Sequence, residues 1–283
     1  MSRAVCVDVR VGKDWSKGLR ASTDPRVARM AVAHRGMRYQ RRTPVEECRW
    51  QRASRTTLAL SWSDAMAYIV GLTATDGCLI TGRRAINFKS KDRDLVETYL
   101  ALLGRTNTVR KERTRAGNVL FTTQFSDAAL YEWFRNVGLT PRKSLTLGGF
   151  PVPDPHLLPL VRGLLDGDGS IANFVHAPTR STFPSYRYER LWVFFHSASR
   201  AHVDWLRARL STVVGTEGYL EIRKEEGRHD MFRLKYGKHA AIALLGQLYA
   251  DPSAPRLRRK WRIWADYVER HGGSDLHLSS PPT

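Results

Sequence analysis

Two stretches of this chain have nearly the same outline: MAYIVGLTATDGCL at 66–79 and LPLVRGLLDGDGSI at 158–171. Each is a helix-like apolar run that ends on an Asp-Gly pair. The residues after each run correspond as well. INFKSKDRDLVETYLALLG answers to VFFHSASRAHVDWLRARLS, LFTTQFSDAALYEWF to MFRLKYGKHAAIALL, and LTPRKSLTL to PRLRRKWRI. Four correspondences in one order imply an internal duplication, each copy reading helix, two strands, helix, two strands and a helix. Along INFKSK, Ile86 and Phe88 alternate with Asn87, Lys89 and Lys91, the period of a strand with one apolar and one basic face. The expected fold class is therefore α+β, with two pseudo-symmetric αββαββα halves.

The expected boundaries come from the same pattern. Ser63 is a suitable N-cap for the first motif helix, and Asp154-Pro155 supply a cap and first-turn proline for the second, although Pro159 allows a later start. The halves are read as 63–153 and 154–271, with extra residues near Asn173 to Tyr188 lengthening a hairpin of the second copy. Residues 272–283 have no periodicity and read as a frayed tail. Residues 1–62 read as a separate basic arm, because the chain through Ser63 holds 14 Lys and Arg against 5 Asp and Glu and is weakly apolar.

The net charge of +19 points to a polyanionic partner, and no apolar run is long enough for a membrane span. Nucleic acid leads, since the cations are mostly Arg, whose forked donors suit phosphate and guanine. Cys6, Cys48 and Cys78 are odd in number and widely spaced, which fits neither a disulfide framework nor a paired zinc knuckle. With no long apolar stretch at the start, the reading expects no secretory signal and a cytoplasmic location.

Gly71 and Thr75, and Gly163 and Gly167, are each four apart, so both motif helices carry a strip of small residues along which they can pack on one another. That packing brings Asp76 and Asp168 to the same end of the helix pair. Each carboxylate there meets the negative end of a helix dipole and another carboxylate, so a cation must compensate. Arg or Lys can do this; so can Mg²⁺, which keeps several waters and completes its shell with phosphate oxygens. Asp166 has Ala74 at its position in the first copy, and reads as a cap or packing group rather than a ligand.

YIVGLTATDGCL and LVRGLLDGDGSI resemble the two signature helices of LAGLIDADG homing endonucleases in their single-chain, double-motif form, with Thr73, Ala74 and Thr75 departing from the consensus. The resemblance covers roughly Ser63 to His271. It implies motif helices at a pseudo-twofold axis and a saddle-shaped antiparallel platform, with double-stranded DNA as the partner. It further implies a monomeric, Mg²⁺-dependent double-strand endonuclease with Mn²⁺ as a substitute ion, a long asymmetric target and short 3′ overhangs. Asp76 and Asp168 would bind metal, with backbone carbonyls near Gly77 and Gly169 as further ligands. Lys143 and Lys260, at matching positions in the two copies, would be the basic residues near each scissile phosphate. Lys89, Lys91, Gln124, Arg187, Arg223, Arg233 and Lys235 would face the major groove, and Arg113 or Arg115 would touch the backbone from a basic hairpin. The DWSKGLRAS stretch resembles the short modular DNA-binding segments of phage-type homing nucleases. The competing reading is a non-cleaving relative, an RNA maturase or a DNA-binding regulator.

Overall fold

Ser63 opens the first motif helix, α1 (Asp64–Asp76): its backbone is extended and its Oγ accepts the Met66 N–H at 3.2 Å, supplying one of the partners that a helix start lacks. Every residue from Met66 to Ala74 is buried, so α1 is enclosed on all sides rather than amphipathic. The computed structural model describes residues 22, 24–25, 28–29, 55–114, 116–176, 188–224, 226–227 and 229–272. Most of the expected arm, together with Arg115, Arg187 and the tail past residue 272, lies outside the described residues.

After α1 come β1 (Gly77–Ile80), β2 (Ala85–Ser90), α2 (Arg93–Leu102), β3 (Arg110–Arg113), β4 (Val119–Ser126) and α3 (Ala128–Asn136). The second half repeats the order with α4 (Leu157–Asp166), β5 (Ser170–His176), β6 (Tyr188–Ser197), α5 (Arg200–Val214), β7 (Tyr219–Arg223), β8 (Met231–Tyr236) and α6 (Lys238–Leu248). It closes on α7 (Arg258–Arg270). Where α7 stands in the second half, the first has only a short 3₁₀ turn, Lys143–Leu145. Each half holds a four-stranded antiparallel sheet, ordered β1-β2-β4-β3 and β5-β6-β8-β7, giving an α+β architecture of two like halves.

One helix start differs from the sequence expectation. Asp154 to His156 form a 3₁₀ turn and α4 begins at Leu157, with no side-chain cap. The Asp154 carboxylate instead accepts from Arg209 at 2.6 Å. Pro159 then falls in the first turn of α4, where its missing N–H breaks no helical bond.

Strand parity separates the faces of each sheet. In the first, Ile86 and Phe88 are buried, and Phe88 stacks on Tyr99 of α2 at 4.2 Å between centroids. Burying a side chain of that size contributes about 1.5–3 kcal/mol. Asn87 pairs with Gln124 and Lys89 with Thr122 on the opposite face. In the second sheet Leu191, Val193, Phe195, Leu234 and Tyr236 are buried, leaving Trp192, Phe194, His196, Arg233 and Lys235 on the other face. Residues 55–62, read as the end of the arm, pack against the first half: Thr57 N–H donates to Leu103 O at 3.0 Å, and Trp62 meets Trp133 edge-on at 5.4 Å. Among the described residues no helix is long and apolar enough to cross a membrane.

Candidate active site

The site begins with two glycines. A Cβ on Gly71 would collide with Leu160 O and Leu164 N of α4, and one on Gly163 would collide with Tyr68 O of α1. The two helices therefore meet backbone to backbone, which only residues without side chains permit. A Cβ on Gly167 would strike the Thr75 hydroxyl, so the four expected small positions all lie along this seam.

The seam carries both acids to one end. Asp76 is the last residue of α1, whereas Asp168 lies two residues past Asp166, the end of α4, in a turn closed by Gly169 N–H donating to Leu164 O at 3.2 Å. Asp76 and Asp168 line one cleft of about 550 Å³ together with Lys89, Lys91, Arg259 and Lys260. Burial, and then the charge of Asp168, push the Asp76 carboxyl up to about 7, against the pull of Lys260 and Lys143. Such a carboxylate is electrostatically unsatisfied at neutral pH, which is a condition that a bound cation relieves.

Lys260 is 4% exposed, and its three N–H donors are shared among four backbone oxygens, those of Leu165, Asp166, Gly167 and Gly169, at 2.6–2.8 Å. It thus caps the C-terminal end of α4 with a positive charge where the dipole is negative. Burial pulls its pKa down to about 8. Lys143, 8% exposed, donates to Gly77 O after α1 and is likewise pulled down by burial. The residue before it, Arg142, has a φ of 57°, the one left-handed non-glycine among the described residues. That conformation costs of order 1–3 kcal/mol at the turn that delivers Lys143.

The carbonyls of Gly77 and Gly169, two of the oxygens expected near a metal, each accept from a lysine ammonium. Among the described residues no group of three or more His, Cys, Asp and Glu gathers into a cage. Of the acids lining this cleft Asp92 is paired with Arg259, which leaves the two carboxylates of Asp76 and Asp168. Two acids leave an ion open to water and phosphate, as Mg²⁺ prefers. Asp166 is buried and works as a tether: its Oδ2 accepts from Tyr68 Oη at 2.7 Å and from Leu257 N–H at 2.8 Å, fixing the approach to α7 that carries Lys260. Burial raises its carboxyl to about 6.

The expected groove-facing residues divide. Gln124 and Lys91 are exposed, and Lys89 is half-exposed, held by Glu112 at 2.7 Å. Arg223 and Arg113 are exposed, but Arg110 and Glu112, rather than Arg113, share the parity of Lys89. Arg233 and Lys235 are committed internally. Both pair with Glu221, Arg233 lies 4.8 Å over Phe194, and Lys235 lies 4.1 Å over Trp192. The sequence reading missed His196, on the open face of β6 with Nδ1 3.4 Å from Asp168 O. Burial lowers its pKa, as do Arg233 and Arg223. Aligning INFKS on VFFHS puts His196 on Lys89, a signal that was present in the sequence.

Residues 63–137 match the family model described as the LAGLIDADG-like domain. Among solved structures, a mutant of I-SmaMI superposes with a TM-score of 0.50 at 12% identity, covering 76% of this chain and 94% of that one. I-SmaMI bound to cleaved DNA gives 0.48 at 13% identity, over 77% of this chain and 93% of that one. The I-LtrWI LAGLIDADG homing endonuclease bound to target DNA gives 0.49 at 10% identity, over 76% and 91%. No curated protein matches in sequence. At such identities the likeness speaks to the fold alone.

Proposed function

From a chain that carries a LAGLIDADG-like domain in its first half and the two-half α+β fold of the single-chain homing endonucleases, we propose a site-specific endonuclease that hydrolyses both strands of a DNA duplex. The observation that carries this reading is the paired acids: Asp76 at the end of α1 and Asp168 just past the end of α4 line one cleft, where burial and then the charge of Asp168 push the Asp76 carboxyl up to about 7. A protein that only grips DNA gains nothing from two mutually repelling carboxylates.

Asp76 and Asp168 would hold a divalent ion, Mg²⁺ or Mn²⁺, which when bound supplies positive charge at the phosphoryl oxygens and acidity to a neighbouring water. The chain's own residues do the rest. Lys260 and Lys143 hold both helix ends in place, so the acids are pre-set before substrate arrives. Lys89, Lys91 and Gln124, on or beside the open face of the first sheet, take phosphate and base edges. Water attacks phosphorus in line, the bond to the 3′ oxygen breaks, and the proton lost by water is balanced by the one gained at that oxygen, leaving a 3′-hydroxyl and a 5′-phosphate. Short 3′ overhangs, a long asymmetric target and action as a monomer belong to the same proposal, as do a basic arm ahead of the two halves and a place among intracellular DNA.

The test is a plasmid library with a randomised insert, incubated with protein and Mg²⁺. Linear product that EDTA prevents, and that Asp168→Asn fails to make while still retarding the recovered site on a gel, is the expected result. Tight binding of the host intron RNA with no cutting of any library member would replace the nuclease by a maturase, and duplex binding with no cutting would replace it by a regulator.

A further inference from the structure

The pseudo-symmetry that joins the halves produces two clefts, and they are not alike. Cys78 pairs with Asn87 in the first sheet and Ser170 with Phe194 in the second, which places Lys89 and His196 at equivalent positions two residues on. The chain then turns identically. Ser90 Oγ accepts from Asp92 N–H at 3.2 Å and Ser197 Oγ from Ser199 N–H at 3.0 Å, so Lys91 corresponds to Ala198. Asp92 and Ser199 are in turn the N-caps of α2 and α5.

Each cleft combines the strand end of one half with the basic turn or helix of the other. The larger one, about 550 Å³, joins Lys89 and Lys91 to Arg259 and Lys260, with Asp76 and Asp168 in its wall. Its counterpart, about 360 Å³, joins His196 and Ser197 to Ser144 and Leu147, and also reaches Asp168. Among the described residues no Lys or Arg lines that second cleft. Lys143, the counterpart of Lys260, does not line it; it donates to Gly77 O as Lys260 donates to Gly169 O.

On the nuclease reading, on which this step rests, each cleft receives one scissile phosphate. Cations beside it bind the substrate and offset the charge that grows on the phosphoryl oxygens. We infer that the two clefts work at unequal rates: the strand at the Lys89 cleft is cut first, and the chain passes through a nicked duplex before the strand at the His196 cleft is cut. Lys260 is tied to its carbonyls, so the cations that distinguish the clefts are Lys89, Lys91 and Arg259, the last paired with Asp92 at 2.7 and 2.8 Å; Lys89 and Lys91 are the two on the strand end. The Lys89–Glu112 pair lies at the surface, with side chains 43% and 45% exposed, where an ion pair exchanges readily for a phosphate.

The experiment is a time course on a supercoiled plasmid carrying the site recovered from the library, with end-labelled duplex to identify the strand. Open circles accumulate before linear DNA, with the first cut about a hundredfold faster than the second, the lower end of the scale of losing one positioned donor. His196→Lys raises the rate of the second cut relative to the first; Lys89→His slows the first cut until both strands go together. Thermal melts alongside show both variants folded, and Lys91→Ala gives a second, surface-located variant expected to slow the first cut alone. Linear product with no open-circle build-up in wild type overturns the inference while leaving the nuclease standing. Unequal cutting that none of the three substitutions alters overturns it as well. Failure to cut any library member overturns both.

Discussion

Replacing Asp76 by Asn should make the metal-free protein more stable, and the gain should depend on pH. The native carboxyl titrates near 7 against an ordinary value of 3.8, a gap worth about 4 kcal/mol at 1.36 kcal/mol per pKa unit. Because the raised value belongs to an acid, the native state binds the proton more tightly than the unfolded chain does. The contribution of this one group to stability is therefore highest below about pH 4, falls as pH rises from about 4 to about 7, and stays reduced above that. Asp76 is partly exposed and Asp168 relaxes when its neighbour is neutralised, so about half of the gap, roughly 2 kcal/mol, is the working figure. For a chain of this size that corresponds to about 4–8 °C in Tm. The assay is thermal unfolding in EDTA from pH 5 to pH 8.5. Asp76→Asn should exceed wild type by a margin that grows to about pH 7 and then levels off, and 10 mM Mg²⁺ should raise wild type at pH 8 more than the variant. A margin that is negative throughout, or that does not change with pH, would show that Asp76 carries no such electrostatic burden.

The same geometry sets three further outcomes. Gly71→Val should lower the unfolding free energy by about 3 kcal/mol or more, because its side chain meets the Leu160 and Leu164 backbone and the helices must part; a chemical melt measures it. Lys260→Met leaves three buried carbonyls and one part-buried one without their shared donor and should cost about 3 kcal/mol or more in the same melt, whereas an exposed helix lysine would cost almost nothing. Deleting residues 1–52 should weaken duplex binding and flatten its dependence on salt, by about 0.9 in log–log slope for each phosphate the arm neutralises; fluorescence anisotropy across a salt series reads this.

The sequence displayed much of the fold because its signals are local. Ser63 as an N-cap, the alternation of Ile86 and Phe88 with Asn87 and Lys89, and the glycines four apart each express a period or a cap within a few residues. What it hid depends on distant partners. Lys143 reads as one basic residue in a turn, and its partner, Gly77 O, is 66 positions away. Lys260 sits in RLRRKWRIW, which looks like a solvated cationic face, yet it reaches back 91 to 95 positions to cap α4. The second sheet misled for another reason. In LWVFFHS, Trp192 and Phe194, on the face away from the core, are as apolar as the core-facing residues beside them, so parity is invisible until Arg233 and Lys235 are seen lying over those rings and covering them. A cation shared between a ring and Glu221 gives up desolvated contacts before it can touch a base, whereas Gln124 on the first sheet is exposed.

Duplication has a consequence beyond providing two similar sites. Lys89 and Lys91 come from the first half, and the Arg259 and Lys260 that complete their cleft come from the second; His196 and Ser197 meet Ser144 and Leu147 in the reverse sense. Neither half contains a finished cleft. The glycine seam is what brings the parts together, and a seam built on backbone contact tolerates little sliding, since a shift along the axis would drive Thr75 or Tyr68 into the facing helix. Precise placement of the acids thus depends on a seam packed backbone to backbone, with Asp168 held in the turn just beyond it. The strand ends and the basic turns, which make no comparable backbone contact, are where the two copies have been free to differ: lysine in one cleft, histidine and alanine in the other.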